Sequence, residues 1–422
     1  MRQMKDSGIE WIGEIPDTWK LCKGRYLFKQ RNLRGNNIEM QLLSPTQKFG
    51  VIPQGKYEEL SGMNAVKINE KTDLATLKTI HQGDFCISLR SFQGGFEYSE
   101  YEGVVSPAYQ VFYPTVNVSR GYYKYLFKDQ AFIEKMNSYT MTLRDGKNIA
   151  FDDFGNTYIP YPPVEEQEHI ADFLDAKCVE IDSLTADIQT QIANLEQYKR
   201  SVITEVVTKG LNPDAEMKDS GLKWIGEIPS SWNVMPNKYL MKKKKIICPI
   251  YNGENILSLT MKGVIVRDLD AGGKMPTSFD GYQRLEPGNL LMCLFDIDVT
   301  PRCIGLIKQA GLSSPAYSQF VLNDIGNAEY YCYYYTMLDN DKTLLHLAKN
   351  LRHSLTEDQL GAISVIVPPI DEQAAIANFL NTKCEKIDKV IADKIKQLEI
   401  LAEYKKSLIY EYVTGKKEVP AI

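Results

Sequence analysis

No apolar run in this chain approaches the ~20 residues a membrane-crossing helix needs. The N-terminus, MRQMKDSGIEWIGEIP, lacks the apolar core of a secretory signal. No membrane partner is expected, and a cytoplasmic location is the expectation. The eight cysteines stand singly at 22, 86, 178, 248, 293, 303, 332 and 384, without a CxxC pair. The four histidines do not join them at zinc-ligand spacing, which argues against a structural zinc and for reduced thiols acting as small apolar side chains. GxGxxG and GxxxxGK[ST] are both missing, so the glycine loops that cradle nucleotide phosphates are absent and no cofactor is expected.

Positive charge is also scarce, with a net charge of −5 over 422 residues. The deficit is local. Residues 161–212 carry 4 basic and 10 acidic groups, whereas 1–160 carry 20 and 18, and 213–367 carry 16 and 17. The two large segments are near neutral and are free to present basic faces.

What is abundant is repetition, which decides architecture before anything else. Residues 4–19 read MKDSGIEWIGEIPDTW and residues 217–232 read MKDSGLKWIGEIPSSW, identical at twelve of sixteen positions. A second block recurs as PPVEEQEHIADFLDAKCVEID at 162–182 and PPIDEQAAIANFLNTKCEKID at 368–388. Between these blocks only islands survive: LLSPT at 42–46 against ILSLT at 256–260, SPAYQVF at 106–112 against SPAYSQF at 314–320, and Leu143-Arg144 against Leu351-Arg352. Each half has a fixed start, a variable middle and a fixed end.

The middles read as mixed α/β. FCISL at 85–89, VVSPAYQVF at 104–112, LLMCLF at 290–295 and CIGLI at 303–307 have strand length, and Gly83-Asp84 and Gly288-Asn289 give turns ahead of two of them. Residues 121–138 and 329–348 read as helices whose tyrosines either fill core or stack on bases. After Pro162-Pro163 and Pro368-Pro369 long helices are expected, because proline precedes but does not continue a helix. Their stripes are Ile170, Leu174, Ile181, Leu184, Ile188, Ile192, Leu195 and Val202, then Ile376, Leu380, Ile387, Ile391, Ile395, Leu398 and Leu408. Such a stripe is a coiled-coil seam. The stops fall near Gly210 and Gly415, and Cys178 and Cys384 lie on the apolar stripes. Each helix spans about 45 residues, roughly 65 Å at the ordinary helical rise. The expected fold is α+β: two α/β domains, at 1–160 and 213–367, separated by two long antiparallel coiled-coil helices, at 161–212 and 368–422, as a pseudo-twofold tandem repeat.

Two catalytic motifs are approached and missed. Tyr161-Pro162-Pro163-Val164 resembles the amino-methyltransferase [DNS]PP[YFW] motif but lacks its leading polar and trailing aromatic residues. Glu216-x-Lys218 has the form of half a nuclease site without an acidic partner on a neighbouring strand. No Ser/His/Asp or Cys/His pattern stands out.

Taken together, the repeated WIGEIPxxW and PP…EQ…I…FL…K…ID blocks and the SPAY islands resemble the specificity subunits of type I restriction–modification systems. GDFCISLRSFQGGFEYSEYEGVVSPAYQVF at 83–112 is similar to that family's central strand–loop–strand block. The second half departs from it, with GNLLMCLFDIDVTPRCIGLI in place of the glycine-rich loop. The resemblance implies a non-catalytic DNA-binding chain whose two variable domains, called target recognition domains, read the parts of a bipartite asymmetric site in double-stranded DNA. It implies that the helices dock methyltransferase subunits, two of them, beside restriction subunits where these exist. Two other readings are a coiled-coil adaptor for proteins, which predicts no salt-dependent DNA affinity, and the specificity-like portion of a self-sufficient restriction–methylation enzyme, which requires cofactor motifs.

Arginine reads guanine, Asn and Gln read adenine, and Lys and Arg neutralise phosphate. On that chemistry the DNA-binding candidates of the first half are Arg31, Arg34, Lys48, Arg90, Gln93, Arg144, Lys147 and Asn148. Those of the second are Lys262, Arg267, Lys274, Arg302 and Arg352, with the basic run Lys242, Lys243, Lys244 and Lys245 as a phosphate contact or a solvated face. Arg144 and Arg352 occupy equivalent repeat positions.

Overall fold

Two long helices follow the proline pairs, at Val164–Lys209 and Ile370–Val413. In a computed structural model, residues 2–34, 40–63, 76–87, 95–139, 149–270, 276–300, 302–347 and 353–420 are described. Glu165 and Glu166, then Asp371 and Glu372, occupy the first turns, where carboxylates complement the helix dipole. Gly210 and Gly415 lie just past the last turns with φ of 77° and 73°, a left-handed conformation that glycine adopts without strain. The chain divides into two units: Met1–Ile188 with Lys396–Ile422, and Gln189–Ile395. Each unit therefore holds one variable middle, the N-terminal half of the helix that follows it, and the C-terminal half of the other long helix.

The two units repeat each other strand for strand. In the first, Met4–Asp6 pairs with Glu14–Pro16, and Tyr158–Tyr161 pairs with Lys20–Lys23. A four-stranded antiparallel sheet runs in the order Phe28–Arg31, Gln110–Pro114, Phe85–Ile87, Phe96–Tyr98. In the second, Met217–Asp219 pairs with Glu227–Pro229, and Asn233–Pro236 with Ser364–Val367. Its four-stranded sheet has the same order: Met241–Lys244, Ser318–Leu322, Leu290–Met292, Ile304–Leu306. Two small antiparallel pairs complete each unit, one of them a hairpin, Leu43–Thr46 with Gly50–Pro53 and Leu257–Thr260 with Gly263–Val266. The other is Lys78–Ile80 with Gly103–Val105, matched by Gln283–Leu285 with Gly311–Ser313. Each SPAY island turns the chain from this pair into the four-stranded sheet.

The repeated blocks tie helix to sheet. Trp19 Nε1 donates to Glu166 at 2.8 Å, and Trp232 Nε1 donates to Glu372 at 2.9 Å. The neighbouring glutamines are fully buried. Gln167 accepts from Ser119 N and donates to Pro162 O, while Gln373 accepts from Asn327 N and donates to Pro368 O. The tyrosines are core: Tyr122, Tyr123, Tyr330, Tyr331, Tyr334 and Tyr335 are buried. Tyr122 donates to Val413 O at the end of the second helix, and Tyr330 donates to Val207 O at the end of the first.

Three expectations need correction. The segments expected as single helices each break in two, into Arg120–Leu126 and Gln130–Ser138, and into Ala328–Asn340 and Thr343–Leu347. In the first, Asp129 caps a fresh helix by accepting from Phe132 N, so a turn intervenes. The 104–112 run is two strands about a turn. The seam is incomplete: Ile170, Leu174, Ile181 and Val202 are buried, as are Ile376, Leu380, Ile387 and Leu408, but Leu184 and Ile395 are each 46% exposed. Away from the sheets a helix meets only one other helix, which covers a narrow stripe and leaves flanking positions in water. The eight cysteines are unpaired with one another, six buried and two partly buried.

Gly103 and Gly311 let the hairpin approach its neighbouring strand. A Cβ at 103 would lie 2.2 Å from Gln41 O, and one at 311 would lie 2.6 Å from Asn255 O. Gly103→Val should therefore destabilise the protein by roughly 3 kcal/mol, whereas Gly55→Ala, with open space around it, should not. Thermal unfolding of the two variants checks this.

Candidate nucleic-acid interface

The repeated framework carries lysine to the same place twice. In the first hairpin Phe49 N donates to Thr46 Oγ1 at 3.1 Å, and Thr46 Oγ1 donates to Gly50 O at 2.9 Å. In the second, Lys262 N donates to Thr260 Oγ1 at 3.1 Å, and Thr260 Oγ1 donates to Gly263 O at 3.0 Å. These threonine-closed turns leave Lys48 and Lys262 exposed at equivalent hairpin tips. The threonine ending each LLSPT and ILSLT island is the local cause.

Other candidates are engaged within the fold. Arg31 forms a two-pronged pair with buried Asp84, at 2.7 and 3.2 Å, and lies over Tyr113 at 4.2 Å. Lys244 has the same sheet register as Arg31 and pairs with Glu286. Lys243 pairs with Glu357. Arg302 bonds Asn340 at 3.1 Å and lies 3.6 Å from the buried Asp339 carboxylate. Arg34 is exposed and donates to Thr76 O at 2.7 Å. Arg267 is half-buried just past the second hairpin, its N–H donated to Ile256 O. Lys242 and Lys245 are exposed. Arg90, Gln93, Arg144, Lys147, Asn148, Lys274 and Arg352 lie outside the described residues.

Lys238 is not among the candidates that the sequence nominates. Lys238 lines a cavity of about 330 Å³ together with Lys242, Lys243, Phe320 and Glu357. A lone lysine four residues ahead of a basic run carries no local signal. Strand Met241–Lys244 is an edge of its sheet, so the run also shields an open ladder from other strands.

The displaced titrations belong to packing. Burial pushes the Glu97 carboxyl up to about 7 against the opposing pull of Lys128, 2.6 Å away. Burial likewise raises Asp129 to about 6 and the Cys303 thiol to about 12. A second cavity, about 460 Å³, is lined by Gln82, Tyr98, Glu100, Tyr101, Gly121, Lys124 and Asp175. Neither cavity joins a nucleophile to a base in the manner of a catalytic site. Glu216-x-Lys218 is part of a hairpin, where Lys218 Nζ donates to Ser230 O as Lys5 Nζ does to Asp17 O. Among the described residues, no cluster of three His, Cys, Asp or Glu side chains is placed to hold a metal ion, and no helix is long and apolar enough to cross a membrane.

The described residues thus present one framework twice around dissimilar middles, each copy with a lysine-tipped hairpin. Residues 28–195 match the family described as the type I restriction modification DNA specificity domain. The type I restriction enzyme MjaVIII specificity subunit of Methanocaldococcus jannaschii is 26% identical over 282 residues, 63% of this chain and 63% of that protein. A second protein of that organism, also bearing a type I specificity-subunit name, is 27% identical over 278 residues, 62% of this chain and 59% of its own. The matches thus span about three fifths of either relative's length. Two solved structures share the fold at 14% identity. One, from work on complex assembly and conformational transition of the type I R-M system, has a TM-score of 0.69 and covers 96% of this chain and 99% of its own. The other, the HsdS subunit from Thermoanaerobacter tengcongensis, has a TM-score of 0.52 and covers 98% and 100%. The chain thus resembles type I restriction–modification specificity subunits, through the specificity-domain match at residues 28–195 and its likeness to these relatives.

Proposed function

We propose that this chain is the sequence-specific DNA-binding subunit of a type I restriction–modification enzyme, reading a bipartite asymmetric site. The observation that carries the reading is the strand-for-strand duplication of one framework around two unlike middles, together with the specificity-domain match at residues 28–195. Residues 1–160 and 213–367 are the two target recognition domains. Helical regions 161–212 and 368–422 are the shared scaffold. The chain itself is non-catalytic and holds no cofactor; methyl transfer, and cleavage where present, belong to partner subunits in the cytoplasm.

Two methyltransferase subunits fit the scaffold because its surface is duplicated. Lys405 pairs with Asp182 at 2.6 Å in the first unit, and Lys199 pairs with Asp388 at 2.6 Å in the second. Close in sequence to the first pair are exposed Leu184 and Tyr404, and close to the second are their repeat equivalents, exposed Val390 and Tyr198. Repeat-equivalent ion pairs and repeat-equivalent exposed apolar residues offer each unit's helices the same docking features.

For DNA, Lys48 and Lys262 at the hairpin tips are phosphate contacts, with Lys242, Lys245, Arg34 and Arg267 as further contacts. The base readers are drawn from Arg90, Gln93, Arg144, Lys147, Asn148, Lys274 and Arg352. Arg31, Arg302, Lys243 and Lys244 act through the strands they brace. The chain assembled with its methyltransferase subunits should bind duplex DNA with log affinity falling linearly in log salt, at a slope of about −0.9 per phosphate contacted. Titration by fluorescence anisotropy at several salt concentrations measures this slope. Affinity that is absent, or independent of salt, would favour the adaptor reading.

A further inference from the structure

Each half opens its sheet with an exposed cation–tyrosine pair at the same place. Arg25-Tyr26 and Lys238-Tyr239 both sit in a short helical turn directly before the edge strand, Phe28–Arg31 and Met241–Lys244. The tyrosines are 62% and 59% exposed, although the leucines beside them, Leu27 and Leu240, are buried core. The cation lies over the ring in both, at 5.5 Å for Arg25 and 5.1 Å for Lys238. Its stem is seated in both on a glycine of the helix ahead of the terminal strand: a Cβ on Gly155 would meet Arg25 Cβ at 3.4 Å, and one on Gly361 would meet Lys238 Cβ at 3.5 Å. Packing accounts for the repeated leucine. It does not account for a large aromatic held in water twice while the surrounding middles have diverged.

The charge around the pairs identifies the occupant. Residues 18–38 hold six basic and no acidic residues, and residues 228–253 hold five basic and none acidic. In a chain of net charge −5, these are two basic runs of sequence at matching sites, within which Arg31, Lys243 and Lys244 are paired with Asp84, Glu357 and Glu286. In the second unit the run borders a cavity, where Lys238, Lys242 and Lys243 converge with Glu357 as the one carboxylate in the lining. Cations with an exposed tyrosine suit a phosphodiester backbone, the cation neutralising phosphate while the hydroxyl donates to its oxygens.

We propose that Arg25-Tyr26 and Lys238-Tyr239 are a duplicated clamp on the DNA backbone, contacting phosphates irrespective of sequence and setting each reading domain on its half-site. The inference rests on the DNA-reading function above. It differs from base reading, since an element shared by two domains of different middles serves what their two targets have in common.

The test uses the full chain assembled with its methyltransferase subunits and two duplexes, one bearing the methylated motif and one unrelated. Arg25→Ala with Tyr26→Ala, and Lys238→Ala with Tyr239→Ala, replace exposed groups and leave Leu27 and Leu240 in place. Each double variant should bind both duplexes about tenfold more weakly, the loss of one charge-assisted contact set. Its salt slope should be shallower by about one. Arg25→Lys should recover most of the affinity. Unchanged affinity, a loss confined to the motif duplex, or loss of methyltransferase subunits with DNA affinity intact would each overturn the clamp. Failure of the unmutated complex to bind either duplex would instead sink the DNA-reading function beneath it.

Discussion

A chain cut to residues 1–212 should form a twofold homodimer that, with methyltransferase subunits, marks a palindrome built from the first half-site and its inverted copy. The reason lies in how each unit is completed. The first unit borrows Lys396–Ile422 from the second long helix, and without that segment the surfaces under Leu408, Ile409, Tyr412 and Val413 would open to water. Each such side chain contributes ~1.5–3 kcal/mol by burial, too much for a small unit to forgo. The shortened chain carries its own replacement. Lys199, Val202, Ile203, Val207 and Thr208 are the repeat equivalents of Lys405, Leu408, Ile409, Val413 and Thr414. In the second unit they already make the matching contacts: Lys199 to Asp388, and Val207 O accepting from Tyr330. A second copy of the helix end thus fits where the second helix was, and two identical readers related by a twofold recognise symmetric DNA. Light scattering gives the mass and methylome sequencing gives the motif. A soluble monomer marking the original asymmetric motif would contradict the exchange of helix ends.

Much of this architecture was legible from the chain because it is written twice. The proline pairs and the glycines place the long helices to within a few residues, since both act through backbone geometry that tertiary contacts cannot override. What stayed hidden depends on distant partners. Nothing local says that Phe28–Arg31 lies at the edge of its sheet beside Gln110–Pro114. The break after Leu126 was readable in principle, as Asp129 is a capping residue, but the apolar pattern runs straight through it. The stripe residues Leu184 and Ile395 follow helical spacing yet face water, because periodicity states which residues share a face and not how wide a neighbour covers it.

The interface was less legible than the fold. Residue type nominates Arg31 and Arg302 as readily as Lys48, but a carboxylate far along the chain, Asp84 or Asp339, decides which cations are already engaged. Lys48 and Lys262 gain weight from equivalence alone, and so do Arg25 and Lys238, which were passed over because a single cation beside a tyrosine has no periodic signature. Seven nominated residues lie in segments outside the described residues.

Replacing residues 20–160 with the variable segment of another specificity subunit should change one half-site completely and leave the other half-site intact. The exchange keeps Ile12, Ile15 and Trp19 and the Glu165–Gln167 block, so the new middle meets the same framework: Trp19 bonded to Glu166, and Gln167 ready to accept a backbone N–H. The second unit has its own core of described residues, running from Val202 to Cys384. Distant sites without shared partners behave independently. The most direct measurement is methylome sequencing of cells expressing the methyltransferase subunits with the original chain, with the exchanged chain and with none. The account predicts a bipartite methylated motif with the original, a motif altered in one half with the exchange, and no motif without the chain. Methylation that persists without the chain, or an exchange that alters both halves together, would contradict a non-catalytic subunit with two separate readers.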